Sequence, residues 1–97
     1  MGLDAIEEKN LNDVISYALE YPKMVLMEAR SLVPEETALG DFAYGLYVGY
    51  ISGIFFDGFL ARSKRFLNDD ELSDFHAVLF KRSHEIWLKI KVHLQIK

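Results

Sequence analysis

The chain has no cysteine, which excludes disulfides, thiolate metal sites and a cysteine nucleophile together. Proline is nearly absent, and its two copies, Pro22 and Pro34, mark where helices end and begin. Bases are the minority, 11 against 15 acids for a net charge of −4, which speaks against a nucleic-acid partner. Met1 to Asn10 offers neither a basic start nor an apolar run, so no secretory signal is expected there.

Catalytic motifs are missing too. His76, His84 and His93 lie on the last segment near Asp74 and Glu85, but none is at the i, i+4 spacing of a helical metal pair. Asp41 and Asp57 are separated by about 24 Å if they share a helix, too far for joint acid–base work, and Glu36 does not close that gap. No cofactor, no metal and no enzymatic activity are therefore expected.

What the chain has in quantity is apolar surface. Its 97 residues make one small domain, 1–97, with 51% apolar and 13% aromatic residues. A chain this short buries only about two thirds of its unfolded surface, so self-association or membrane contact is expected to cover the rest. Charge is divided along the chain. Residues 1–57 carry ten acids and three bases, whereas residues 58–97 carry eight bases and five acids. The two parts attract each other, within one chain or between copies.

The organising stretch is Asp41 to Ala61, DFAYGLYVGYISGIFFDGFLA, whose only internal charge is Asp57. Gly45, Gly49 and Gly53 recur every four residues, which on a helix gives a ridge free of side chains where another backbone can approach closely. Phe42, Phe56 and Leu60 fall near that ridge, and Tyr47, Ile51, Ile54 and Phe55 on the other side. The flanking charges agree with a helix dipole, Glu35, Glu36 and Asp41 before and Arg62, Lys64 and Arg65 after, so the spacing predicts one helix of some thirty residues from Pro34. A β-hairpin turning at Asp57-Gly58 ranks second.

Ahead of it, Asp4 with Glu7 resembles a helix cap, and Asn10 with Asp13 offers a second start. That helix ends at Tyr21, and another runs from Pro22 to the corner at Val33-Pro34. Met24 and Met27 are read as core gap-fillers rather than a binding surface. Behind it, Asn68-Asp69-Asp70 breaks the chain and caps a last helix, with Glu71 completing the capping pair. From Leu88 to Lys97 apolar and polar residues alternate strictly, a strand pattern, although the helix is expected to continue through it.

Asp57 continues the glycine ladder and is read as a buried acid paired with Arg30, Arg62, Arg82 or a partner chain. With Tyr44, Tyr47 and Tyr50 it forms the candidate polar site. The expected fold is an all-α bundle: two short helices, a long glycine-ridged central helix and a last helix returning along it as an antiparallel hairpin. The expected function is a non-enzymatic interaction or scaffold module in the cytoplasm, a homo-oligomer, most simply a dimer, with room for an unidentified protein partner. The alternative is a membrane protein spanning once through residues 42–60. A small-ligand binder or enzyme built on Asp57 and the tyrosines ranks third.

Overall fold

The computed structural model describes residues 2–94. Within them the chain forms five helices and no strand: α1 (Ala5–Glu20), α2 (Pro22–Leu32), α3 (Leu39–Ser63), α4 (Asp69–Lys81) and α5 (Ser83–Leu94). The protein is an all-α bundle.

Local chemistry sets most of the boundaries. The Asp4 carboxylate accepts the Glu7 backbone N–H at 2.8 Å and starts α1, so the alternative start at Asn10 is not used. Pro22 opens α2, where its missing N–H is not needed. Asn68 and Glu71 form a full capping box at the head of α4: Glu71 N–H donates to the Asn68 side chain, and Asn68 N–H to the Glu71 carboxylate, each at 2.8 Å.

Two expectations need correction, the start of the central helix and the single returning helix, and the second-ranked hairpin falls away. The central helix begins at Leu39, not Pro34, because Thr37 N–H closes a turn onto the Pro34 carbonyl and Ala38 is extended. Glu35 and Glu36 thus stand outside it. The Asp57-Gly58 pair is helical and makes no hairpin turn. The returning segment is two helices, broken at Arg82. There the backbone N–H is shared between the Val78 and Leu79 carbonyls, both at 3.2 Å. The Arg82 guanidinium reaches the Asn12 carbonyl at 3.0 Å and Ser16 Oγ at 3.1 Å on α1, and holds Glu85 with Nε at 2.8 Å. Anchoring this side chain on α1 turns the chain between α4 and α5. The alternating segment is helical from Leu88 to Leu94, and residues 95–97 lie outside the described residues.

A 25-residue helix is about 37 Å long, so α3 matches the molecule's long dimension of 40 Å. Helices α1, α2 and α5 pack against it. One core joins Leu11, Ile15 and Ala18 of α1, Val25 and Ala29 of α2, the row Ala43, Tyr47, Ile51, Phe55 and Phe59 of α3, Phe75 of α4, and Ile86 and Ile90 of α5. Helix α4 reaches α3 through Phe75, whose ring lies 5.7 Å from Phe55 and 4.8 Å from Phe56.

Candidate interaction surface

Which side of α3 faces outward follows from its two apolar rows. Ala43, Tyr47, Ile51, Phe55 and Phe59 recur every four residues and are all buried. The glycine ladder is offset from that row by two residues, about 200° around the axis, and so lies on the opposite side. Gly45, Gly49 and Gly53 are exposed, and a Cβ added at any of them would meet nothing within 4 Å. The ladder therefore lies at the surface of the bundle rather than in a contact between the described helices, and this strip without side chains is called the trough below. Its shoulders are half-buried: Phe42, Leu46 and Tyr50 on one side, Tyr44, Val48 and Phe56 on the other. Leu60 is exposed beyond its C-terminal end.

Two depressions lie along α3, and the first includes ladder glycines. Between α2 and α3 a depression of about 260 Å³ is lined by Val25, Glu28, Gly45, Leu46, Gly49 and Tyr50. On the α5 side Tyr44 packs edge-on to Trp87, ring centres 6.2 Å apart, and with Asp41 they border a shallow hollow of about 370 Å³. Asp41 and Asp57 stand exposed at the two ends of the ladder, and Glu28 is exposed on its α2 side.

The candidate polar site does not assemble. Asp57 is exposed, and among the described residues it has no ion pair, hydrogen bond or other partner. Two of the arginines considered for it are engaged elsewhere. Arg62 binds Glu7 by two hydrogen bonds, at 2.6 and 3.0 Å, and Arg82 holds Glu85 and α1. Tyr47 is fully buried on the other side of α3, whereas Tyr44 and Tyr50 lie on opposite shoulders of the trough. Among the described residues the Tyr47 hydroxyl has no hydrogen-bond partner, and burial pushes its pKa up to about 12.

Ion pairs instead fasten the helix ends. The Arg62 guanidinium holds the Glu7 carboxyl below the usual carboxylate range. Arg65 donates to both Glu71 oxygens, at 2.7 and 3.0 Å, and with the Asn68 N–H lowers the Glu71 pKa to about 2. Among the described residues no three His, Asp or Glu side chains gather as a metal site, and no helix is long and apolar enough to cross a membrane.

A second surface was missed in the sequence. Tyr17 and Tyr21 at the end of α1 pack ring to ring at 4.8 Å and, with Glu20, Pro22, Lys23, Met24 and His93, line a cavity of about 610 Å³. Met24 and Met27 are both more than half exposed, which overturns their reading as gap-fillers. The available signal was the pair of tyrosines four residues apart just before Pro22. Comparison of the chain with protein-family models, curated proteins and solved structures finds no match.

Proposed function

We propose that the chain is a non-enzymatic interaction module that self-associates by helix packing on the glycine trough of α3, most simply as a two-fold dimer. The observation that carries this reading is the absence of any internal use for Gly45, Gly49 and Gly53. Glycine inside a helix is less favourable than alanine by about 0.5–1 kcal/mol, yet none of the described residues crowds these positions. A backbone approaching from outside would require the missing side chains. Gly2 shows the contrast, since a Cβ there would collide with the Asp74 carboxylate.

Charge constrains how two copies meet. Asp41 and Asp57 each lie eight residues from Gly49, about 12 Å along the axis, so helices running side by side would bring acid against acid. Two α3 helices crossing at Gly49 separate those ends, and a crossing of about 40° is common where glycines line the contact. Added salt screens the residual repulsion and is expected to strengthen assembly. A cytoplasmic location belongs to the same proposal, with recovery in the soluble fraction as its test.

Gly49→Leu tests the trough. A Cβ at this exposed position meets none of the described residues within 4 Å, so helicity should persist while the mass measured by light scattering falls. An unchanged mass would remove the trough as the interface.

A further inference from the structure

The trough leaves a different part of the surface unexplained. The cavity of about 610 Å³ at the α1–α2 corner adjoins another of about 320 Å³, lined by Leu19, Glu85, Leu88, Lys89, Val92 and His93. His93 lines both, so they form one groove between the end of α1 and the outer side of α5. Its apolar lining is made of large side chains left open: Tyr17 is 54% exposed, Tyr21 53%, Met24 51%, Leu88 46% and Val92 69%. Tyr and Met are enriched in protein interfaces, and the Tyr17–Tyr21 pair is already packed, so little side-chain freedom remains to be lost on binding.

The rim identifies the occupant. Glu20, Lys23 and Lys89 border the groove, and among the described residues none of them is in an ion pair. Glu85 is already held by Arg82 at 2.8 Å. The free charges are thus of both signs on one surface. A ligand of uniform charge would be attracted by part of this rim and repelled by the rest. A two-fold contact needs the opposite arrangement, one patch that is complementary to itself, with the acid of each copy meeting a base of the other.

We infer that the α1–α5 groove is a second self-association surface, occupied by the same groove of another copy of this chain. Leu88 and Val92 of each copy enter the space beside Tyr17, Tyr21 and Met24 of the other, and Glu20 faces Lys23 or Lys89 across the contact. This surface is separate from the trough. A chain that uses both builds assemblies larger than a dimer, each copy joined to one neighbour through α3 and to another through the groove.

The test uses the full chain in the Gly49→Leu background, which takes the trough out of the measurement. That parent is expected to form a dimer, and Val92→Glu, at an exposed position that leaves the core untouched, is expected to reduce it to one chain. Two rim variants then ask whether the occupant is a second copy. Glu20→Lys leaves only bases among the rim charges outside ion pairs, and Lys23→Glu with Lys89→Glu leaves only acids. Each alone is expected to stay a single chain, and an equimolar mixture is expected to recover the parent's two-chain mass. A monomeric parent, a Val92→Glu variant with the parent's mass, rim variants that associate on their own, or a mixture that stays apart would each overturn the inference. Failure of the trough reading looks different: Gly49→Leu would then leave the mass of the unaltered chain unchanged.

Discussion

Replacing Gly45, Gly49 and Gly53 together by alanine is expected to make the single chain more stable. A methyl group at each position meets, beyond its chain neighbours and its own helix backbone, no described atom within 4 Å, so no packing penalty opposes the gain in helix propensity. That gain is about 0.5–1 kcal/mol per site. Neighbours four residues apart can couple by a few tenths of a kcal/mol, so the three sites together should contribute roughly 1.5–3 kcal/mol. For a domain of this size that corresponds to a rise of roughly 6–24 °C in melting temperature. The assay is urea and thermal unfolding followed by circular dichroism, on samples dilute enough that assembly adds nothing to stability. The urea midpoint should rise with an unchanged slope. No gain, or a loss, would show that these glycines serve a contact inside the chain and would refute the reasoning that places the trough on an association surface.

Three other substitutions and one titration probe the fold. Lys64 closes α3 with φ of 59° and ψ of 25°, a left-handed conformation that favours glycine, so Lys64→Gly should stabilise by about 1 kcal/mol in urea unfolding. Tyr47→Phe removes a buried hydroxyl without a partner and should leave stability unchanged or raise it by about 1 kcal/mol; a clear loss would reveal a partner for that hydroxyl. Asn68→Ala removes one half of the α4 capping box and should cost about 1 kcal/mol. The Glu71 pKa falls from 4.5 to about 2 on folding, so its contribution is fully present above pH 4.5 and is lost as pH falls towards 2. Glu71→Gln should flatten that part of the stability–pH curve, and an unaltered acid limb would contradict the Arg65 pairing.

Features written in local chemistry were legible in the sequence. Asp4 with Glu7, Pro22, and Asn68 with Glu71 each mark a helix start that needs no tertiary information, and the structure uses all three. Features decided by tertiary competition were not. An all-round apolar helix has more than one face that can enter the core, and periodicity alone does not choose between them. In α3 the row carrying Tyr47, Ile51, Phe55 and Phe59 offers far more apolar area than the glycine row, so it is buried. Asp57, on the glycine row, is consequently at the surface, and its reading as a buried acid fails for that reason. The break at Arg82 has no glycine or proline to announce it, since it depends on acceptors at Asn12 and Ser16 some seventy residues earlier. Met24 and Met27 satisfy a helical apolar pattern, yet the core contacts of α2 go to Val25, Leu26 and Ala29.

In the proposal made above, the exposed apolar faces of this chain are covered by other copies of it. Its most direct test is the light-scattering mass of the unaltered protein, without detergent, across a dilution series. A mass of two chains or more that falls towards 11.2 kDa on dilution is expected. A single-chain mass at every concentration would contradict it.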